Sequence, residues 1–281
     1  MATKSEASKR MKRALIGAGG LACIAIGWVL GAPSQVTRLT FLSVGQGDCA
    51  VFQTGDNAIL IDDGPSDLVA QYLILPKLRK LGVSNVDRIF LSHPDSDHVA
   101  GTKVLLDRYP SAKVVISSQF RDNAEMKSDL QTWKLADNQV EWLDTDSHGQ
   151  FGGFDLEIFC PPATTENDGS MIMRLRNGEA SAEFSGDASS ETEAIAQAHE
   201  DWSAEIMKAG HHGSRTATSD QWLRAVHPQY VVISCGLDNR YGHPHKETLA
   251  RIAEEKGQML RTDLDGTIIF ELREGHFTRV R

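Results

Sequence analysis

The chain has 281 residues, of which 41% are hydrophobic and 24% charged, and its formal net charge is −9. This composition is typical of an ordinary globular protein and excludes a disordered or low-complexity chain. The negative balance also disfavours broad, sequence-independent adhesion to nucleic acid, which depends on clustered Lys and Arg.

The amino terminus differs from the rest of the chain. Five basic residues and one acidic residue precede an uncharged apolar run, ALIGAGGLACIAIGWVLGA, at positions 14–32. A run of this length can cross a bilayer as a helix, and the basic residues before it predict that the tail stays in the cytoplasm. We therefore expect a cytoplasmic tail at 1–13, a single-pass anchor at 14–32 in the bacterial inner membrane, and a periplasmic domain at 33–281. The alternative is a cleaved signal peptide, but the run is long for one.

Short strands and helices alternate along the exported part. Three strands are predicted first, in TRLTFLSV, CAVFQT and AILID, and a helix over 67–81 follows them. Later strands are predicted at VDRIFLS, AKVVIS, FDLEIF, SMIMRL, SAEFS, AEIMKAG, YVVISC and GTIIFELR. Helices are predicted from Asp97 and near 191–199, 220–226 and 246–256. Because helices are interspersed among strands, we expect one α/β domain in which helices cover sheets.

The loop FLSHPDSDHVAG, at 90–101, places two histidines and two aspartates within six residues after a strand. The proline after His93 favours an extended backbone, so that residues 93, 95 and 97 point the same way, and His98 joins them as a helix begins. Imidazoles and carboxylates bind divalent metals, and four of them exceed what one ion usually takes from one loop. The spacing predicts two neighbouring ions. The alternative is that Asp97 only caps the helix and the histidines are solvated.

This loop resembles that of the metallo-β-lactamase superfamily, whose usual form is HxHxDH, with Asp95 in the place of the second histidine. Eight ordered motifs extend the resemblance to the exported hydrolase domain of ComEC-type DNA-uptake proteins: HPDSDH, VGQGD, ILIDDG, ENDGSMIMRL, FSGD, AGHHGS, NRYGHPH and RTDLDG. The resemblance implies an αββα sandwich and a hydrolase domain. It does not extend to the channel part of those proteins, because this chain has one apolar segment.

The resemblance also implies the metal ligands. Asp187, in FSGD, would bridge two ions. Asp97, His98 and a histidine of GHHGS would complete the second site, and His211 is favoured over His212 because it leaves the strand first.

The first site would then hold His93, Asp95 and the bridging aspartate. The superfamily's third histidine has no clear counterpart, because the region before FSGD offers other side chains: Asn167, Asp168 and Ser170. Two divalent ions are therefore expected. A carboxylate in place of an imidazole makes the donor set harder, and the four cysteines form no CxxC pair that would supply thiolate ligands, so Mn²⁺ is favoured over Zn²⁺.

Three residues are assigned to catalysis. Asp97 is one, and His243 and His245 of GHPH are candidates to bind a substrate phosphate or to protonate a leaving oxygen. Both histidines could equally be turn residues around a proline. Asp62 is expected to support the loop, and Asp48 either reaches the metals or caps a turn.

The leading hypothesis is an exported, membrane-anchored, binuclear metal-dependent phosphodiesterase or nuclease acting on DNA. The alternatives are a hydrolase of a small ester, a lactone or a cell-envelope phosphodiester, and a non-catalytic binding protein on the same fold. DNA or another phosphodiester is the expected partner, the membrane is contacted through the anchor, and no protein partner follows from the sequence.

Overall fold

The computed structural model describes residues 36–144, 146–162 and 165–281. The tail and anchor predicted at 1–32 lie outside these residues. Within the described part of the chain, every helix is too short or too polar to cross a bilayer.

The described residues contain fifteen strands in two sheets. In chain order the strands are β1 Thr37–Phe41, β2 Ala50–Thr54, β3 Asn57–Ile61, β4 Asn85–Phe90, β5 Lys113–Ser117, β6 Val140–Leu143, β7 Ser147–Phe151, β8 Phe154–Phe159, β9 Ile172–Asn177, β10 Ala180–Phe184, β11 Ile206–Lys208, β12 Tyr230–Ile233, β13 Gln258–Arg261, β14 Ile268–Arg273 and β15 His276–Arg279. The first sheet has the order β15-β14-β1-β2-β3-β4-β5-β6, and the second has the order β13-β12-β11-β10-β9-β8-β7.

Each sheet is antiparallel on one side and parallel on the other. Strands β3 to β6 run parallel in the first sheet, and β10 to β13 run parallel in the second. The carboxyl ends of parallel strands meet at one edge of a sheet, which is where ligand sites form in α/β proteins. Functional side chains are therefore expected on the loops after β3, β4, β10, β11 and β12.

The helices lie between these strands in the chain. They are α1 Asp67–Val69, α2 Leu75–Leu81, α3 Ser96–Val99, α4 Thr102–Arg108, α5 Ala124–Trp133, α6 Ser190–His199, α7 Asp220–Val226, α8 Lys246–Glu254 and α9 Thr262–Asp265. A π-helical segment, Ala70–Ile74, joins α1 to α2, so the helix predicted over 67–81 is continuous. Polar side chains begin several helices: Ser66, Asn123 and Ser219 each accept a backbone N–H at an amino terminus.

Three apolar clusters define four layers. One lies between the sheets and includes Phe41 and Phe184, whose rings stack with centroids 5.8 Å apart. The other two lie on the outer faces, where helices cover the sheets. Strand alternation explains the division, because in β5 the side chain of Val115 joins the inner cluster while Val114 and Ile116 join an outer one. The expected α/β fold with two sheets is confirmed.

Six elements were not predicted from the sequence: α5, α9, β6, β7, β13 and β15. Strand β7 is polar and largely exposed at a sheet edge, so it carries no apolar alternation. Helix α5, by contrast, has a recognisable sequence pattern. The Asn123 cap is followed by Met126, Leu130 and Trp133, which have helical spacing and join the outer cluster of the first sheet.

Candidate metal centre

The loop after β4 carries two fully buried histidines. The rings of His93 and His98 have no exposed surface, and their centroids lie 4.2 Å apart. Helix α3 begins at Ser96, so Asp97 and His98 occupy its first turn rather than an extended segment. The crowding seen in the sequence thus becomes a pair of adjacent imidazole rings, inclined by 56° to each other and flanked by carboxylates.

Asp187 follows β10 and lies among three histidines. Its carboxylate oxygens are 3.3 Å from His98 Nε2, 3.5 Å from His211 Nε2 and 3.6 Å from His212 Nε2. Its backbone N–H donates to Ser170 Oγ at 3.0 Å, which holds the turn after the strand. A single buried carboxylate therefore connects the loops that follow β4, β10 and β11.

The two histidines after β11 have different environments. His212 is buried, with Nε2 3.2 Å from Asp97 Oδ2 and Nδ1 3.0 Å from the carbonyl oxygen of Ser234. The His211 side chain keeps 30% of its surface exposed. Both residues have left-handed backbone conformations, with φ of 54° and 48°, which cost of order 1–3 kcal/mol each and cluster at functional sites. The order of the two residues in the chain favoured His211 as the metal ligand, but the turn directs the His212 side chain into the buried group of polar side chains around Asp187.

Asp62, at the end of β3, supports the loop as the sequence predicted. Its Oδ2 lies 2.8 Å from His98 Nδ1, and its Oδ1 accepts the backbone N–H of Ser92 at 2.8 Å. A carboxylate on the Nδ1 side of an imidazole fixes the tautomer and directs Nε2 outward, which is the usual support of a metal-binding histidine. Here Nε2 of His98 points to Asp187.

A buried ion pair beneath the cluster was not predicted. The ammonium of Lys208, the last residue of β11, contacts the carboxylate of Asp48 and donates to the carbonyl oxygen of Gly186 at 3.2 Å. Burial opposes the charge on Lys208, but Asp48 outweighs it and raises the pKa of the lysine above its usual value. The sequence offered one signal, a single lysine inside the apolar strand AEIMKAG.

The polar side chains around Asp187 offer nitrogen and oxygen atoms that could bind a divalent cation. His93 Nε2, His98 Nε2 and Asp187 Oδ1 are buried, and none has a hydrogen-bond partner among the described residues. Leaving such atoms unpaired costs about 1–3 kcal/mol each unless something binds them. Burial opposes protonation of His212, but Asp187 and Asp48 outweigh it and raise the pKa of that histidine to about 10. The cluster therefore attracts positive charge.

One group of four side chains has the spacing of a metal site. A donor atom from each of Asp48, His98, Asp187 and His212 lies within 4.8 Å of the other three. Asp95 lies outside this group, with Oδ2 3.5 Å from His93 Nε2. The structure thus places His98, His211 and His212 around Asp187, with Asp97 beside His212 and Asp95 beside His93, and Asp48 lies within the group rather than only capping a turn.

His243 and His245 lie on a loop beside this centre. The His243 ring is 5.5 Å from that of His211 and stacks with the ring of Tyr241 at 5.6 Å. Burial is the main cause that lowers the pKa of His243, to about 4. The His245 ring lies 4.8 Å from that of His243, and its Nδ1 accepts the backbone N–H of Arg215 at 3.0 Å.

Comparison with known proteins identifies the fold. A family model described as the metallo-beta-lactamase superfamily matches residues 42–236. This chain belongs to that superfamily. Among solved structures, the metallo-beta-lactamase fold protein YhfI from Bacillus subtilis has a TM-score of 0.55 at 15% identity, covering 84% of this chain and 100% of that chain. Membership of this superfamily indicates that the chain is a metal-dependent hydrolase.

The relatives in sequence include the ComEC-type competence proteins. The chain is 26% identical to ComE operon protein 3 of Bacillus subtilis, over 94% of this chain and 37% of that protein. It is 29% identical to competence protein ComA of Neisseria gonorrhoeae, over 86% and 33%, and 28% identical to recombination protein 2 of Haemophilus influenzae, over 81% and 28%. The chain therefore spans about a third of the length of the curated relatives it matches.

Proposed function

We propose that this chain is a binuclear metal-dependent phosphodiesterase that cleaves DNA. One observation carries the proposal: loops from both sheets bring buried, unpartnered donor atoms of His93, His98 and Asp187 to one place. The names of the relatives, which refer to competence and recombination, favour DNA as the substrate. Two divalent ions bound there would activate water and offset the charge that develops on an attacked phosphate.

The geometry favours a specific division of ligands. We assign His93, Asp95 and the bridging Asp187 to one ion. For the other ion we assign Asp97, His98 and the same Asp187, with His212 in preference to His211 because it is buried and lies 3.2 Å from Asp97.

The supporting residues would hold these ligands in place. Asp62 and the carbonyl oxygen of Ser234 lie at the Nδ1 atoms of His98 and His212, so both rings direct Nε2 into the centre. The partly exposed His211 and the neighbouring His243 would then be free to contact a substrate phosphate.

A groove beside the centre is suited to a single strand of nucleic acid. It measures about 530 Å³ and is lined by Asp97, Asn239, Arg240 and Tyr241 among others. The Arg240 guanidinium lies 4.7 Å from the centroid of the Tyr241 ring, and this tyrosine is 47% exposed. Aromatic rings and arginine planes bind bases by stacking, without a sequence preference.

The activity is tested with the purified full chain. We expect Mn²⁺-dependent cleavage of single-stranded or double-stranded DNA and of bis(p-nitrophenyl) phosphate, and no turnover in EDTA. Hydrolysis of a lactone but of neither phosphodiester would instead favour a small-ester hydrolase. Failure on every substrate with Mn²⁺, Mg²⁺ and Zn²⁺ would favour a non-catalytic role.

Asp95→His should shift the metal optimum from Mn²⁺ toward Zn²⁺. The substitution replaces a hard oxygen donor by imidazole and removes a negative charge at the site of His93. Rates on bis(p-nitrophenyl) phosphate with each metal measure the shift. A parent protein that already prefers Zn²⁺, together with an unchanged order in the variant, would contradict this role of Asp95.

Tyr241→Ala should raise KM for single-stranded DNA about tenfold and leave KM for an oligomer of stable abasic (tetrahydrofuran) sites unchanged. One stacked base contributes about 1–3 kcal/mol, and the abasic oligomer has no base to stack in the groove. Tyr72→Ala is the matched control, because Tyr72 is 65% exposed and does not line the groove. Equal effects of Tyr241→Ala on both substrates would contradict a base-stacking role.

We also propose that residues 14–32 anchor the protein in the inner membrane, with the hydrolase domain at 33–281 in the periplasm. The relation to competence proteins and the five basic residues before Ala14 support this topology. A periplasm-dependent reporter fused after Arg281 should be active, and a cytoplasm-dependent one inactive. The reverse pattern would overturn the topology.

A further inference from the structure

A second group of acidic side chains lies next to the centre. One carboxylate oxygen from each of Asp95, Glu125 and Glu166 lies within 4.8 Å of the other two. Glu166 precedes a short 3-10 helix, Asn167–Gly169, and Glu125 is in the first turn of α5. Neither glutamate was among the residues that the sequence assigned to metal binding.

A buried nitrogen points at this group. His93 has no exposed surface, and its Nδ1 lies 2.9 Å from Ser92 Oγ, which leaves Nε2 on the side of Asp95. The 3.5 Å separation from Asp95 Oδ2 is too long for a good hydrogen bond, and Nε2 has no partner among the described residues. An acidic surface group alone would signify little, but a buried unpartnered imidazole at its edge indicates a cation.

The two glutamates are held differently. Asn123 Nδ2 donates to Glu166 Oε1, so this partly buried carboxylate is oriented by a side chain that also caps α5. The Glu166 carboxylate lies beside that of Asp95, and a dication bound between them would offset the repulsion of the two negative charges. Glu125 is exposed, and its place in the first helical turn is explained by the helix dipole.

We propose that Glu166 binds the metal ion held by His93, Asp95 and Asp187, as a fourth protein ligand in the role of the histidine for which the sequence analysis found no counterpart. This inference rests on the binuclear centre of the proposed function. An additional carboxylate makes the site richer in oxygen than a histidine would, which favours Mn²⁺ and Mg²⁺ over Zn²⁺. Glu125 stays outside the ligand set and contributes only negative charge.

The test measures metal binding without any substrate. The full chain is stripped with EDTA and titrated with Mn²⁺, with bound and free ion followed by electron paramagnetic resonance and calorimetry. The parent protein should bind two ions. Glu166→Gln should weaken one of them at least tenfold and leave the other within threefold.

Two further variants separate ligation from charge. Glu125→Gln removes the same charge beside the same site and should change both affinities less than threefold. Glu166→His should restore two-ion binding but bind Zn²⁺ more tightly than Mn²⁺ at the restored site. Thermal melting of each stripped variant checks that it is folded.

Three results would overturn the assignment: a parent protein that binds one ion, a Glu166→Gln variant that binds two ions as tightly as the parent, or equal losses in Glu166→Gln and Glu125→Gln. Because no substrate is present, failure of the nuclease proposal gives a different result. A protein that needs Glu166 for its second ion but cuts no DNA would support this ligand and refute the substrate.

Discussion

Asp187→Ala should lower the rate of bis(p-nitrophenyl) phosphate hydrolysis about a thousandfold or more and release bound metal. Among the described residues, Asp187 is the one carboxylate within 3.6 Å of His98, His211 and His212, so its loss removes a donor shared by both proposed sites. Metal ions contribute several kcal/mol to stabilising charge in such reactions, and each 1.4 kcal/mol is about tenfold in rate.

Elemental analysis after dialysis measures the bound metal, and Asp97→Ala provides a second test. Asp97 lies 3.2 Å from His212 and 4.0 Å from His98, which are both assigned to the second ion, so its variant should lose one ion rather than both. Asp107→Ala is the control, because Asp107 is 67% exposed and pairs with Lys103 on the surface. Unchanged stoichiometry in both Asp187→Ala and Asp97→Ala would refute the binuclear assignment.

Lys208→Met should lower the free energy of unfolding by about 3–5 kcal/mol, because it removes the ammonium group that contacts the buried Asp48 carboxylate. Methionine keeps an unbranched apolar side chain as far as the ε carbon and lacks the ammonium group. Urea unfolding in EDTA measures the loss without a contribution from bound metal.

A double variant shows whether the loss comes from the ion pair. Asp48→Asn combined with Lys208→Met removes both charges and should recover part of the stability lost in the single variant. The exposed pair of Lys103 and Asp107 gives the comparison, since Lys103→Met should cost less than about 1 kcal/mol. A loss from Lys208→Met as small as that would show that Asp48 is stabilised by other groups.

Much of the fold was predictable, because the residue patterns that specify strands and helices lie within short stretches of the sequence. Alternating or continuous apolar residues identified most of the strands, and the helix predicted at 220–226 matches the observed bounds. The edge strand β7 was not predicted, because most of its residues face solvent and show no apolar alternation. Its pairing with β8 depends on the turn between the two strands. The two-sheet architecture followed from the motif resemblance rather than from any single element.

The sequence by itself determined that His93, Asp95, Asp97 and His98 share one loop and that Asp187 ends a strand, because these relations span a few residues. Only the tertiary structure decided which other side chains reach them. It directs His212 rather than His211 inward, pairs Lys208 with Asp48, and places Glu166 beside Asp95. These contacts join residues between 71 and 160 positions apart in the chain, from loops at the ends of different strands. Their meeting depends on the register and stacking of two sheets, and local spacing carries no information about either.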